Sequence, residues 1–286
     1  ELKTLGDQYS EATAEQKDLS EKAEIMARRL AAAQQLIAGL STEKERWGVA
    51  IRDLENQKMR LVGDGLLCSA FLSYCGPFNY QFRNQLIYTD WMNDAMERKI
   101  PMSKDFRLET ILTDEVQISQ WTAEGLPADE LSLQNGILTT KASRWPLCVD
   151  PQTQAVKWIK EKEANNSLKI TTFNEPDFLK QLELAIQYGF PILFEGIDET
   201  IDPVINVVLE KNVIQAGNRK YITLGDKDID WDDSFRLYFT TKLANPHYSP
   251  EISGKTMIIN YTVTQSGLQD QLLNVVVGYE RPDLEE

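Results

Sequence analysis

The chain has 286 residues, and its 44 Asp and Glu outnumber its 30 Lys and Arg, which gives a net charge of −14. This surplus of negative charge argues against nucleic-acid binding by the bulk surface. No apolar run reaches the roughly eighteen residues of a membrane span, and the polar start lacks a signal-peptide pattern. The three cysteines have no metal-ligand spacing, which favours a reducing, cytosolic compartment. A start inside a polar helix indicates a fragment of a longer protein.

Residues 1–62 carry an unbroken heptad pattern. Its core positions alternate at spacings of three and four, as in one strand of a coiled coil, and charged and amide side chains flank them. These positions are Leu2, Leu5, Tyr9, Ala12, Gln16, Leu19, Ala23, Met26, Leu30, Ala33, Ile37, Leu40, Lys44, Trp47, Ile51, Leu54, Lys58 and Leu61. At about 1.5 Å per residue, this helix would extend roughly 90 Å.

A single amphipathic helix of this length cannot bury its own apolar stripe, so it needs a partner helix. No second run of comparable length follows, and the partner must come from another chain or from sequence before Glu1. A static dimerisation rod is the commoner use of such a helix. Alanine at Ala12, Ala23 and Ala33 allows the two helices to approach closely while burying little apolar surface, which also suits a coiled coil that shifts its register.

Residues 63–134 are predicted to form a helical layer. The sequence Gly63-Asp-Gly65 is expected to interrupt the long helix, and a buried apolar helix follows at 66–73. Further helices are predicted at 79–99, 108–117 and 121–131. Cys68 and Cys75, seven residues apart in an apolar stretch, are expected to pack in the core.

Residues 135–286 are predicted to form the sheet-bearing part of the domain. Short apolar runs predict strands at 136–140, 146–149, 168–173, 190–194, 221–224, 235–241 and 256–263. Asn174 can cap a helix whose apolar face includes Phe178 and Leu182. Because strands and helices alternate through this part, we expect a largely parallel sheet.

The segment after the strand at 146–149 has the length and position of a phosphate-binding loop, but not its residues. In the pattern G-x-x-x-x-G-K-[ST], backbone amides surround the phosphates, the lysine reaches them and the hydroxyl holds magnesium. Here the defining positions are Asp150, Ala155, Val156 and Lys157. A carboxylate at the mouth of the loop would repel a triphosphate, which predicts a degenerate nucleotide site.

A second landmark follows the strand predicted at 190–194. Nucleotide hydrolases carry Asp-Glu after four apolar residues at this position, where the acids order magnesium and activate water. Glu195 and Gly196 take these two places, so the activating base is missing. From spacing alone, an ordinary pair of strand ends in an α/β domain explains both landmarks equally well.

Three other segments carry residue types that are used in metal binding or catalysis. The acidic segment Asp226–Asp230 lacks the glycine and the final glutamate of a calcium loop, so no metal site is predicted. His247 has no nucleophile motif beside it and is assigned no catalytic role. Asn245 follows the strand predicted at 235–241, where nucleotide-hydrolysing cores often carry a polar sensor residue.

Several segments together resemble the dynein heavy chain family. They are Gly65-Leu-Leu-Cys-Ser-Ala-Phe-Leu-Ser-Tyr-Cys-Gly-Pro-Phe78, Arg144-Trp-Pro-Leu-Cys-Val-Asp-Pro-Gln-Thr-Gln-Ala155, Leu224-Gly-Asp-Lys-Asp-Ile-Asp230, Phe239-Thr-Thr-Lys-Leu-Ala-Asn-Pro-His-Tyr248 and Glu280-Arg-Pro-Asp-Leu-Glu285. The similarity spans essentially the whole chain. The sequences of the first and fourth segments are more similar to axonemal than to cytoplasmic dyneins.

The resemblance implies an α/β fold, an AAA+ (P-loop NTPase-like) parallel-sheet domain with a long N-terminal coiled-coil helix. Residues 1–62 would be the returning helix of the microtubule-binding stalk, and 63–286 the large part of the fifth AAA+ module of the motor ring. The nucleotide slot of this module is regarded in the family as non-hydrolysing. ATP turnover in the first module would drive a ring rearrangement that shifts the stalk helices, and this segment would relay it in a motor directed toward microtubule minus ends.

The resemblance also implies partners, cofactors and a location. The partners would be the outgoing stalk helix, neighbouring AAA+ modules, the microtubule through the stalk tip, and dynein intermediate and light chains through the tail, with no nucleic acid or membrane. ATP or ADP with magnesium would bind in other modules and not here. The location would be the cytoplasm and cytoskeleton, in the axoneme of a cilium or flagellum.

Two further expectations concern the end of the chain. Lys255 falls where relatives often carry arginine, which makes it a candidate for reaching the nucleotide of the neighbouring module. Relatives continue beyond Glu286 with a strut helix, so any sensor of the small subdomain would lie outside this chain. Two alternatives remain open at this point: a regulatory nucleotide-binding AAA+ module, and a coiled-coil scaffold unrelated to a motor.

Overall fold

The computed structural model describes residues 2–217, 219–263, 268–269, 272–273, 276–277 and 280, with side chains from residue 13 on except at 41 and 42. The chain divides into two compact units after Arg60. The first four heptad positions therefore lie outside the described side chains, and the segment 281–285 of the last family-like motif lies outside the described residues.

Helix α1 (Leu2–Tyr74) accounts for all described residues of the first unit and ends in the second. Its heptad positions from Gln16 to Lys58 are all exposed, and Leu30 and Leu54 are each 62 % exposed. The few ion pairs along it, such as Lys22 with Asp18, join side chains one helical turn apart at the surface, and each adds only about 0.3–0.5 kcal/mol. The apolar stripe is thus exposed along the described side chains, and its pairing with a partner helix stays a prediction.

The predicted interruption of α1 at Gly63-Asp-Gly65 is wrong, because the helix continues to Tyr74. Gly63 serves a close approach instead: its N–H donates to the carbonyl oxygen of Pro101 at 3.0 Å, and a Cβ there would lie 2.5 Å from that oxygen. The buried carboxylate of Asp64 accepts from the N–H and hydroxyl of Ser103. These residues attach the loop 98–107 to the helix without breaking it.

Short helices follow α1 in the second unit. They are α2 (Tyr80–Gln85), a π-helical segment (Leu86–Trp91), α3 (Met92–Glu97), α4 (Leu108–Leu112), α5 (Glu115–Ala123) and α6 (Glu130–Lys141). The strand predicted at 136–140 is wrong, since those residues belong to α6. Its β-branched side chains suggested a strand, but Asp129 caps a helix by accepting from Ser132 N–H at 2.9 Å.

The sheet-bearing part alternates strands with helices. Its elements are β1 (Trp145–Val149), α7 (Gln154–Lys162), β2 (Lys169–Thr171), α8 (Phe178–Tyr188), β3 (Pro191–Phe194), α9 (Asn206–Leu209), β4 (Ile214–Ala216), β5 (Arg219–Leu224), β6 (Lys227–Asp230), β7 (Arg236–Thr241), α10 (Pro250–Lys255) and β8 (Thr256–Asn260). Short 3-10 turns lie at Ala164–Asn166 and Pro203–Ile205.

Five of these strands form one parallel sheet in the order β2-β3-β7-β1-β8, which confirms the predicted parallel sheet. Strand β1 lies between β7 and β8: Leu147 pairs with Phe239 on one side and Ile258 on the other. The strand predicted at 221–224 is β5, and it belongs to a separate antiparallel sheet, β4-β5-β6. That sheet was not predicted.

The sheet is buried on both faces, as a parallel sheet requires. Side chains alternate along β1, so that Leu147 and Val149 join one apolar cluster and Cys148 joins the other. Cys68 and Cys75 lie in the same cluster as Cys148, as the spacing of the first two predicts. Because the strands are parallel, β1, β3 and β7 all end at one edge of the sheet, and the two sequence landmarks follow β1 and β3 there.

Candidate functional site

Asp150 occupies the first position after β1, and its carboxylate caps the following helix. Oδ1 accepts from Gln154 N–H at 2.8 Å and Oδ2 accepts from Val156 N–H at 3.0 Å, while Asp150 itself is only 1 % exposed. Thr153, the residue before α7, adopts a left-handed conformation with φ of 61° and supplies no side-chain cap. The amides that surround phosphate in a phosphate-binding loop are here hydrogen-bonded to a carboxylate of the same chain.

Burial raises the pKa of Asp150, although N–H groups of Val156, Gln154 and Ala155 and the charge of Lys157 act in the opposite direction. The ionised carboxylate is therefore less favourable in the folded chain than in the unfolded chain. Stability linked to this group is fully present below the model-peptide value of 3.8 and is lost as the pH rises through the folded pKa.

The direction of this pH dependence can be measured with the variant Asp150→Asn, whose side chain cannot ionise. We expect the free energy of unfolding of the unmodified chain, minus that of Asp150→Asn, to decrease as the pH is raised from about 4 to about 7. Urea unfolding at several pH values gives this difference. A difference that grows with pH would contradict the assignment.

A cleft of about 280 Å³ opens at this edge of the sheet. Its lining comprises Asp150, Thr153, Val156, Lys157, Lys160, Glu195, Gly196, Thr240, Thr241 and Lys242. Five of the predicted site residues therefore meet around one cleft. The sixth member of the two landmarks, Ala155, is fully buried in the core beneath the loop.

Glu195 is already engaged across this cleft. The Nζ of Lys160 on α7 lies 2.6 Å from its Oε1, which makes the two side chains an ion pair. Gly196 adopts φ of 63°, and a side chain there would have open space but a strained backbone. The turn after β3 therefore favours glycine at the position where a hydrolase carries the base that activates water. Sequence reasoning overlooked Lys160, although its position three residues after Lys157 places both on one face of α7.

The two remaining candidates lie elsewhere. Asn245 follows β7 by four residues and lines a different cavity, of about 540 Å³, together with His247. Lys255 ends α10, and its ammonium pairs with Glu251 at 2.6 Å and Glu210 at 2.9 Å. Both acids would have to release Lys255 before it could reach another molecule. The sensor role of Asn245 and the reach of Lys255 stay predictions.

Within the described residues, no three acidic, histidine or cysteine side chains converge as ligands of a metal ion would. In the same part of the chain, no helix has the length and apolar character needed to cross a membrane. The chemistry that the described cleft offers is charge pairing within the chain.

Comparison with known proteins gives two family matches. Residues 119–286 match the family described as the ATP-binding dynein motor region, and residues 1–94 match the microtubule-binding stalk of the dynein motor. Together they cover the chain except for residues 95–118, which lie in the helical layer.

Individual relatives agree with these matches. Over the full chain, the sequence is 58% identical to dynein axonemal heavy chain 10 of Homo sapiens and to the dynein-1-alpha heavy chain of the flagellar inner arm I1 complex of Chlamydomonas reinhardtii. It is 46% identical over 93% of its length to the dynein beta chain of the flagellar outer arm of Chlamydomonas reinhardtii. In each case it spans 6% of the relative's length. The chain, with its stalk-type helix and its AAA+ parallel sheet, belongs to the dynein heavy chain family.

Proposed function

We propose that this chain is a force-relaying segment of an ATP-driven, minus-end-directed microtubule motor of the ciliary or flagellar axoneme. In this proposal the fifth AAA+ module of the motor ring carries the returning stalk helix and passes ring movements to it without hydrolysing ATP. The axonemal assignment rests on the relatives, which are named as axonemal or flagellar dyneins.

The observation that carries the non-hydrolysing role is the Asp150 carboxylate on the amides of α7. A phosphate group would have to displace a negative charge that already satisfies two of these amides. Val156 brings no cation to the phosphates, and Lys157 brings no hydroxyl to magnesium. Each loss removes a contact that phosphoryl transfer needs, and Gly196 removes the group that would activate water.

The relay role rests on α1. This helix carries the exposed heptad stripe, and nearer its end its side chains Leu67 and Phe71 are buried in the core. The proposed partner for the stripe is the outgoing stalk helix of the same heavy chain. Neighbouring AAA+ modules, the microtubule at the stalk tip, and intermediate and light chains at the tail are proposed as partners of the whole heavy chain. ATP or ADP with magnesium is proposed to bind in other modules.

Calorimetry with magnesium and ATP on the 286-residue chain tests the proposed role. We expect no heat of binding up to about 1 mM ATP, because the loop offers phosphate a carboxylate and no lysine. A matched variant, Asp150→Gly with Val156→Lys and Lys157→Thr, restores the cation, the hydroxyl and the open amides, and is expected to bind ATP measurably. Micromolar binding by the unmodified chain that is lost in Glu195→Gln would favour a regulatory nucleotide site instead.

The scaffold alternative has a separate test. Light scattering of the same chain gives its molar mass in solution, and a stable parallel homodimer joined through the heptad stripe would favour a simple dimerisation rod. The relay proposal expects the stripe to pair in an antiparallel sense with a synthetic outgoing helix, detected as a gain in helical circular dichroism.

A further inference from the structure

A second cavity, of about 320 Å³, lies at the amino ends of β1 and β7. This is the edge of the sheet opposite to the one that carries Asp150 and Glu195. We call it the amino-edge pocket, and its charged lining residues are Arg144, Lys162, Glu163, Lys211 and Arg236. Four cations and one carboxylate are an unexpected lining in a chain with a net charge of −14.

The single carboxylate is already satisfied. Glu163 accepts from Lys162 Nζ at 2.6 Å, from Asn166 Nδ2 at 2.7 Å and from the Tyr238 hydroxyl at 2.7 Å. Burial alone would raise the pKa of Glu163, but these hydrogen bonds outweigh it and lower the pKa. Glu163 therefore neutralises Lys162 and is not free to balance the other three cations.

Those three cations are held by neutral groups. Arg144 donates to the carbonyl oxygens of Ser73 and Ser253, which line the cavity of about 540 Å³, so its guanidinium is turned toward that cavity. Arg236 donates to the carbonyl oxygens of Asp233 and Phe235. Among the residues that the structure describes, no carboxylate lies within 4.0 Å of the cationic nitrogens of Arg144, Lys211 or Arg236. Backbone carbonyls fix the direction of a guanidinium without cancelling its charge. The Asp233 carboxylate, whose pKa Lys220 and then the charge of Arg236 lower, offsets Arg236 only in part because it pairs with Lys220, so the pocket keeps a positive field.

Lys211 is the most informative member. It follows the last turn of α9, and its φ of 52° belongs to the helix end, where Lys211 N–H donates to Val208 O and Asn212 N–H donates to Val207 O. Its ammonium lies 4.0 Å from the ring centroid of Trp145 and donates to Ser143 O at 2.5 Å. Burial, and then the nearby charge of Arg236, lower the pKa of Lys211. The positive charge of Arg236 beside this ammonium is a cost that a bound anion would offset.

We propose that the amino-edge pocket binds an oxyanion, a phosphate group or a carboxylate, between Lys211 and Arg236. The volume of about 320 Å³ is at the lower end of ligand pockets, about 300–1,000 Å³, and suits a small anion or one acidic side chain rather than a nucleotide. Arg236 keeps guanidinium N–H groups beyond those on backbone oxygens, and such a fork matches two oxygens of one anion. This binding goes beyond the proposed relay function and does not depend on it.

The test uses the 286-residue chain in sodium phosphate, sodium glutarate and sodium chloride at equal ionic strength. Calorimetry gives the Kd for each anion, and thermal unfolding gives the Tm. At an anion concentration about tenfold above its Kd, we expect the Tm to exceed that in chloride by about 3 °C or more. The double variant Lys211→Gln with Arg236→Gln is expected to lose this shift. Lys104→Gln with Lys180→Gln removes the same charge from exposed sites outside the pocket and is expected to keep it.

The outcomes separate the two sources of the oxyanion. A shift with phosphate alone assigns the pocket to a phosphate group, and a shift with glutarate alone assigns it to a carboxylate. No shift with either anion, or an equal shift in all three proteins, overturns the proposal. The Tm in chloride reports whether the double variant folds. If it does not, the single variant Lys211→Gln must weaken Kd at least about fivefold for the proposal to stand.

Discussion

Replacement of Gly76 by alanine is expected to lower the free energy of unfolding by about 3 kcal/mol or more. Gly76 is buried between α1 and α2, and a Cβ there would lie 2.1 Å from the carbonyl oxygen of Ile258 and 2.6 Å from Cε of Met257. The closest atom belongs to the backbone of β8, which cannot move aside as the end of a flexible side chain can. The Gly76 carbonyl also accepts from Asn260 N–H at 2.9 Å, so a shift would disturb β8 at two points.

Thermal and urea unfolding measure this effect, and the Tm is expected to fall by about 6 to 12 °C. Gly65→Ala is the matched control. Gly65 lies in α1, where an added Cβ meets nothing within 4 Å, and alanine favours a helix by about 1 kcal/mol relative to glycine. The control is therefore expected to leave stability unchanged or to raise it. Similar stabilities for the two variants would refute the close contact at Gly76.

Replacement of Arg83 by leucine is expected to cost about 3 kcal/mol of stability. The guanidinium is fully buried and donates to the carbonyl oxygens of Cys75 at 2.9 Å and Gly76 at 2.8 Å and to Oδ1 of Asn135 at 2.8 Å. Burial lowers the pKa of Arg83 to about 10. Leucine would keep part of the volume but would remove three hydrogen bonds from a charged donor at once.

Two other variants sharpen this test. Arg83→Lys keeps the charge but lacks the planar fork that reaches three acceptors, so it is expected to recover little of the lost stability. Arg98→Leu removes an exposed arginine that pairs with Asp94 one turn away, and such pairs contribute less than about 1 kcal/mol. Urea unfolding compares all three variants. Equal losses for Arg83→Leu and Arg98→Leu would show that the buried network contributes no more than a surface pair.

The sequence predicts the heptad helix and the parallel sheet well because each leaves a pattern of apolar residues in the chain. Stripe positions such as Leu30 recur at heptad spacing, whereas the continuous apolar run around Leu147 marks a strand buried on both faces. Single residues mislead where tertiary contacts decide. Gly63 looks like a helix break, yet it is a site of close approach to Pro101. Ile137 suggests a strand, yet the cap at Asp129 places it in a helix.

The candidate site follows the same division. Spacing from the strands identifies Asp150 and Glu195, because parallel strands end at one edge whatever residues follow them. The pattern does not reveal that Asp150 turns back onto Val156 N–H or that Lys160 reaches Glu195. Those contacts depend on side-chain directions fixed only after α7 packs on the sheet. The antiparallel sheet around Tyr221 escaped prediction for a similar reason, since its short strands are largely exposed.

The three buried thiols allow local opening of the chain to be measured by chemical labelling. Burial raises the pKa of Cys68 to about 11 and of Cys75 to about 12, and it raises the pKa of Cys148 further. Because the thiolate is the reactive form, an alkylating reagent labels each of these cysteines only when the surrounding segment opens and exposes it. Cys148 lies in β1, an interior strand of the parallel sheet, and Cys68 lies in helix α1, which packs on the sheet. Their separate labelling rates would tell which layer loosens first when the molecule is strained.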